Sequence, residues 1–345
     1  MGFHLERAWH RRGGKASEVI CSKGESLGMV EFDRQQIAEA IINSQVGPAA
    51  REEGSRLVES WLESFDNFPE KNWRVRFVEA PFFIRLQPKT WILGQMDACF
   101  HDGEHVVLGE WKSRRAPKLK KDGTSYLGDD EQGWLEEITN GPQLGVYALA
   151  GREGTFITDT SQAAILDSTL NLEEPHILVR AAVKSNPVEF WSGRFSFPGA
   201  LLDTVRAALI SEAESIRARR KAGHVPYSVP GIHCQNMYRR TCEYLETVCK
   251  PRLTPPLTPI GWHHPEDKAP DPGYDVCELL GLDIQDPELV VLSQSALQSN
   301  YQCAERARID YGGYFAREVS FELEVGTALH TGLKEIYRQL LTTGN

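Results

Sequence analysis

Trp91-Ile-Leu-Gly-Gln-Met-Asp97-Ala-Cys-Phe-His-Asp102-Gly103-Glu-His-Val-Val-Leu-Gly-Glu110-Trp-Lys112 is a pair of apolar runs around Asp-Gly, a strong short-range signal for a β-hairpin. Side chains alternate along a strand, so Glu110 and Lys112 share one face and Trp111 takes the other. A four-residue loop at 102–105 sets Asp97 directly opposite Glu110, and a two-residue loop sets them on a diagonal. Either register keeps both carboxylates on one face, roughly 5–8 Å apart. With Ile92, Leu93, Met96, Val106, Val107 and Leu108 as flanks, these strands read as buried, and buried charges need a partner or a metal. Two carboxylates and one ammonium there suit a hard divalent cation and a polarised water. The plainer reading is a cross-strand salt bridge.

Working outward, the chain alternates between two periodicities. Residues 1–65 read mainly as helix, with Asp33–Ser44 and Pro48–Phe65 apolar at three- and four-residue spacing (Leu57, Trp61, Phe65). From Val75 to Lys112 the pattern turns to period-two and continuous apolar runs. Residues 116–133 are rich in Lys, Gly and Asp, the composition of a mobile loop. A helix follows from Trp134 or Pro142 to Leu149. Strands are predicted at Ala163–Leu166 and His176–Lys184, with Glu189–Trp191 as a short continuation, and a long amphipathic helix at Pro198–Lys221. Residues 250–275 are proline-rich and read as a linker, and 286–341 read as helical again. Strands framed by helices on both sides predict an α/β fold with a mixed central sheet and a helical, cysteine-containing extension.

The 345 residues are 41% hydrophobic and 25% charged, ordinary for a globular protein. There is no long apolar span and no apolar leader, so the expected compartment is the cytoplasm, with no membrane partner. The net charge of −10 argues against a passive nucleic-acid coat. It leaves room for a local basic channel, for which Lys112–Lys121, Arg217–Lys221 and Arg239-Arg240 are candidates.

Three further constellations carry chemistry. Gln143 and Tyr147 lie four apart, on one face of a helix, where they could hold a phosphate or a nucleobase near the metal. His330, in Gly326-Thr-Ala-Leu-His330, lies in a segment that opens a helix and could give an imidazole to a metal. Cys234, Cys242 and Cys249 follow a C-x7-C-x6-C spacing. They need a fourth ligand, for which Cys303 is the best candidate, to hold an iron–sulfur cluster or, alternatively, zinc. Cys21, Cys99 and Cys277 read as buried thiols.

Together these pieces resemble the PD-(D/E)XK nuclease superfamily, in its RecB-like and AddB-like exonuclease branch with phage members. Gly94-Gln-Met-Asp97 and Glu110-Trp-Lys112 resemble its metal motif, Gln143 to Tyr147 its Q-x-x-x-Y signature, and Gly326 to His330 its G-x-x-x-H helix. The three late cysteines with Cys303 resemble its iron–sulfur set. The order differs: the segments that open the family's fold are the last fifty-odd residues here, so the chain reads as a circular permutant. On that reading 1–249 is the nuclease core, with helices at 1–70, the catalytic sheet at 74–191 and a helix and cysteine segment at 198–249. Residues 250–285 are the linker, and 286–345 pack back on the core or complete another protomer.

The resemblance implies a restriction-endonuclease-like core and a Mg²⁺- or Mn²⁺-dependent DNA exonuclease acting on single strands or duplex ends, in recombination, repair or phage DNA processing. It implies Asp97, Glu110, His330 and the Trp111 carbonyl as metal ligands, and Lys112 orienting water or steadying phosphorane charge. Gln143 and Tyr147 would position the strand, and Glu79 would stand behind the ligands. A homo-oligomer or a recombination protein are the implied partners. The rival classes are a silent DNA-binding or assembly module, a zinc-stabilised scaffold, and an endonuclease of the same superfamily.

Overall fold

The hairpin of the opening motif is the middle of a mixed sheet. The computed structural model describes residues 31–118, 129–158, 168–221, 262–263, 277, 280–283, 286, 288–293, 315–316 and 321–343. All elements below belong to the unit Phe32–Asn345. The expected strand at 163–166, most of the lysine-rich loop, and Cys21, Cys234, Cys242, Cys249 and Cys303 lie outside the described residues.

Helices α1 (Arg34–Asn43) and α2 (Pro48–Ser64) lead through two 3₁₀ turns into β1 (Arg74–Gln87), β2 (Thr90–His101) and β3 (Val106–Arg115). Helices α3 (Glu131–Asn140) and α4 (Pro142–Glu153) follow, then the short strands β4 (Thr155–Phe156) and β5 (Ser168–Thr169). Next come β6 (His176–Lys184), β7 (Glu189–Ser196) and α5 (Gly199–Lys221). The two-residue β8 (Trp262–His263) and β10 (Phe315–Ala316) pair with each other, β9 spans Val290–Ser293, and α6 spans Phe321–Thr343. Among the described residues no helix is long and apolar enough to cross a membrane.

The main sheet runs β5-β4-β1-β2-β3-β6-β7, with β9 also paired to β2. β1, β2 and β3 are antiparallel neighbours, β3 and β6 are parallel, and β9 is parallel to β2. Three expectations are corrected. Residues 290–293 are a strand, because Val290-Val-Leu-Ser lies beside Thr90–Leu93 and the β-branched run suits a buried ladder. Residues 189–196 are a full antiparallel partner of β6 and extend the sheet beyond Trp191. The helical stretch near 140 is two helices, since α3 ends at Gly141 and Pro142 begins α4.

Alternation on the central strands feeds two cores. On β6, Val179, Ala181 and Val183 join the cluster beneath α4 and α5, with Tyr147, Leu202 and Leu209. On the opposite face, Arg180 makes a buried two-pronged pair with Glu70, 3.1 and 2.8 Å, under the rings of Trp61 and Phe68. Trp111 also points to that face and stacks on Tyr337 of α6, with centroids 5.2 Å apart. Both faces are therefore covered, which is why these strands read as nearly continuous apolar runs.

Helix α6 is held by close backbone approach to α2. A Cβ on Gly54 would lie 2.4 Å from that of Ala328, and one on Gly332 would lie 2.5 Å from a Val58 methyl. Gly332→Ala should cost about 1–3 kcal/mol in urea unfolding by overpacking this contact; unchanged stability would show that the helices can separate freely.

The hairpin turn is tied by Asp102. Its Oδ1 accepts from the Glu104 and His105 amides at 2.8 and 2.6 Å, and its Oδ2 accepts from Arg194 at 2.7 Å. Burial pushes this carboxyl up, but the two amides and Arg194 outweigh it and bring it down to about 2. An acid held below its ordinary value stabilises the fold above that value and stops doing so as pH falls through the lowered one. Asp102→Asn should therefore lose about 1 kcal/mol at neutral pH, after allowance for solvent screening. It should also flatten the stability curve between about pH 4 and 2 relative to wild type, read by thermal melts across that range.

Candidate metal centre

The hairpin adopts the four-residue loop. Ala98 pairs with Gly109 and His101 with Val106, so Asp97 falls opposite Glu110. The regular ladder stops there. Asp97 Oδ2 instead accepts the Trp111 amide at 2.7 Å, so a side chain replaces a strand carbonyl. Strand β2 has different partners at its two ends, β9 at Thr90–Leu93 and β3 at Ala98–His101. Residues 94–97 sit in the gap between them. Within that gap the Gln95 carbonyl accepts the Tyr147 hydroxyl at 3.0 Å.

On the other side of β2, Val78 pairs with Ala98 and Ala80 with Met96, which places Glu79 across from Asp97. Glu79 has φ +50, a left-handed conformation that costs an L-residue about 1–2 kcal/mol. It marks a change of phase. Phe77 and Ala80 are three apart yet face the same core, as do Met96 and Cys99 across from them, and strict alternation would forbid both. The irregularity falls on Glu79 and Asp97.

The last helix closes the site. His330 Nδ1 lies 3.5 Å from Asp97 Oδ1 and 3.8 Å from Glu79 Oε1. Atoms of Glu79, Asp97 and His330 all lie within 4.8 Å of one another, a spacing one divalent cation could bridge. They sit in a cavity of about 540 Å³ lined also by Gln95, Lys112 and Ser113 from the sheet and by Leu323, Thr327, Thr331 and Lys334 from α6.

Glu110 is 2% exposed. Its Oε1 accepts from Gln143 Nε2 and pairs with Lys112 Nζ, while its buried Oε2 has no hydrogen-bond partner among the described residues. Such an orphaned acceptor costs about 1–3 kcal/mol unless something binds it. The charges around it point the same way. Burial first, then the nearby Glu110 and Glu79, push the Asp97 carboxyl well above its ordinary range, against the pull of His330 and the Trp111 amide. Burial would push the His330 imidazole down, but Asp97, Glu79 and Glu110 raise it to about 9. A divalent cation would relieve the repulsion between Asp97 and Glu79, whose oxygens lie with the His330 nitrogen within 4.8 Å of one another, so this donor set fits one.

Asp97 thus meets His330, and Glu110 pairs with Lys112 opposite Asp97 in register. Trp111 supplies its amide to Asp97, and its ring lies in the core. Gln143 and Tyr147 are not among the residues that line the cavity. Gln143 bridges Glu110 and the Tyr147 hydroxyl, and Tyr147 is buried at 5% exposure, so both brace the carboxylate from behind. Glu79, assigned a place behind the ligands, lies level with them. Its sequence signal, a carboxylate between Val78 and Ala80 in an apolar strand, does not reveal the phase change. Leu323, Thr327 and Lys334 were not singled out, although their spacing with His330 marks one helix face. No known family model matches the chain, and no curated protein matches its sequence.

Tyr147→Phe removes the only donor found for the Gln95 carbonyl among the described side chains. It should lower stability by about 1–2 kcal/mol in chemical denaturation; no loss would show that the hydroxyl is not needed to brace this stretch of β2.

Proposed function

We propose that this chain is a metal-dependent nuclease of the PD-(D/E)XK type, with a restriction-endonuclease-like core whose last helix completes the site from the far end of the sequence. The observation that carries the reading is the meeting of His330 with Asp97, 233 positions apart, beside the Glu110–Lys112 pair. Asp97, Glu110 and His330 would hold Mg²⁺ or Mn²⁺, with the Trp111 carbonyl as a further donor by resemblance. A bound cation of this kind lowers the pKa of a water and neutralises charge on a phosphodiester.

The chain's own groups divide the remaining work. Burial would push the Lys112 ammonium down, but Glu110 and Asp97 hold it above its ordinary value. Lys112 therefore stays charged, which suits it to orient a water or to stabilise charge developing on the phosphate, and unsuits it as a general base. Gln143 keeps one oxygen of Glu110 turned toward Lys112 and leaves the other for the cation. Lys334 and the two threonines on α6 line the cleft where a phosphate backbone would pass. DNA ends or single strands are the proposed substrate, and cleavage from the ends the proposed mode.

The test is Mg²⁺- or Mn²⁺-dependent degradation of end-labelled linear DNA, abolished by EDTA. Asp97→Asn and Lys112→Met should each lower the rate by 100-fold or more, on the order of a lost transition-state contact. Full activity in Asp97→Asn would reject the assignment. Cleavage of covalently closed circles at the linear rate would turn the reading to an endonuclease.

A further inference from the structure

Glu79 is the residue whose geometry the nuclease reading does not need and the structure does not otherwise explain. Its backbone is left-handed at φ +50 in the middle of an apolar strand. Its carboxylate is largely buried, with the side chain 15% exposed, and one oxygen lies 3.8 Å from His330 Nδ1. Its other oxygen accepts from Gln95 Nε2. A strained residue persists where the surroundings fix it, and such residues concentrate at binding sites. Opposite Asp97 in register, and paired with Lys112 of the cavity lining, Glu110 has a buried oxygen with no hydrogen-bond partner among the described residues. A cation there would meet Glu79 of β1, Asp97 of β2 and the His330 imidazole of α6, with Glu110 of β3 added on the proposed reading of the site.

We infer that Glu79 is itself a cation ligand, and that it makes the site a mixed three-carboxylate and imidazole set selective for Mn²⁺ over Mg²⁺. The inference rests on the proposed cation site, but its test does not depend on nuclease activity. Mg²⁺ keeps most of its waters and takes one or two carboxylates. A set with three carboxylates and an imidazole displaces more of that hydration and adds a nitrogen donor, which favours a first-row transition ion. Gln95 would hold the free oxygen of Glu79 so that its partner faces the metal, as hydrogen-bonded ligating carboxylates do.

The decisive measurement is calorimetric titration of Mn²⁺ and of Mg²⁺ into the full chain freed of metal, for wild type, Glu79→Gln, Glu79→Gly and Asp97→Asn. Wild type should bind Mn²⁺ at least about 10-fold more tightly than Mg²⁺. Both Glu79 variants should lose about 10-fold or more in Mn²⁺ affinity, the scale on which groups around a metal act, with a smaller loss for Mg²⁺. Glycine accepts a positive φ without a Cβ penalty, so metal-free Glu79→Gly should melt no lower than wild type while binding Mn²⁺ poorly. Mn²⁺ affinity within twofold of wild type in both variants would overturn the inference, as would equal wild-type affinities for the two ions. A fall in the Glu79→Gly melting temperature with Mn²⁺ binding intact would make the residue structural. Asp97→Asn separates the two claims: if it still binds Mn²⁺ as wild type does, the proposed cation site itself fails, whatever the Glu79 variants show.

Discussion

The close seating of α6 on α2 is the contact on which the site depends. Gly54 and Gly332 each leave room for a facing side chain, Ala328 in one case and Val58 in the other. Ala328 and Gly332 are one turn apart on a single side of α6. His330, two residues from each, is rotated about 200° from both at 3.6 residues per turn. The face that grips α2 therefore turns the imidazole away from it, toward β1 and β2. The stacking of Tyr337 on Trp111 fixes the same helix two turns further on. Packing on one side of the helix becomes placement of an imidazole on the other.

The sheet gives up regularity where that imidazole arrives. Strand β2 trades β9 for β3 between Leu93 and Ala98, and both β1 and β2 change phase at Glu79 and Asp97. Each lost ladder contact has a substitute: the Asp97 carboxylate takes the Trp111 amide, and the Tyr147 hydroxyl takes the Gln95 carbonyl. These replacements keep buried backbone groups satisfied while turning acidic side chains inward. The remaining cost is electrostatic. Glu79, Asp97 and Glu322 line one small cavity with Lys112, Lys334 and His330, and one oxygen of Glu110 has no hydrogen-bond partner among the described residues.

Much of this could be read from the residues, for reasons that differ by element. The hairpin and the shared face of Glu110 and Lys112 follow from alternation and from Asp102-Gly103, which are local. The choice of a four-residue loop is not local, because both registers bury the same apolar set. Residues 290–293 read as helix in the sequence, since three apolar residues carry no period of their own and the pairing with Thr90–Leu93 lies 200 positions away. The spacing of Gln143 and Tyr147 was legible, but their role was not: whether a polar pair faces a cleft or the back of a carboxylate depends on burial. Glu79 was underrated for a similar reason, because a left-handed residue that is not glycine leaves no mark in sequence. The return of His330 to the hairpin came only from resemblance, and the pairing of a chain end with its middle is beyond what periodicity can reach.

That long-range closure also ties the site's occupancy to the fold. Contacts between residues some 230 positions apart must repay a large loop-closure entropy before they stabilise anything. Here the repayment comes from apolar packing of α6, not from its imidazole, since Leu329, Leu333, Ile336 and Tyr337 are all fully buried. The helix can therefore dock without a cation, and the acidic residues are held close before one binds. A ligand set assembled in this way spends little binding energy on ordering itself. It does so by keeping like charges together in the metal-free protein, a tension visible in the raised carboxyl of Asp97. The same arrangement would make a cation bound there a stabiliser of the whole unit, because anything that binds only the folded form shifts the equilibrium toward it. Fold and site are thus coupled in one direction by packing and in the other by charge.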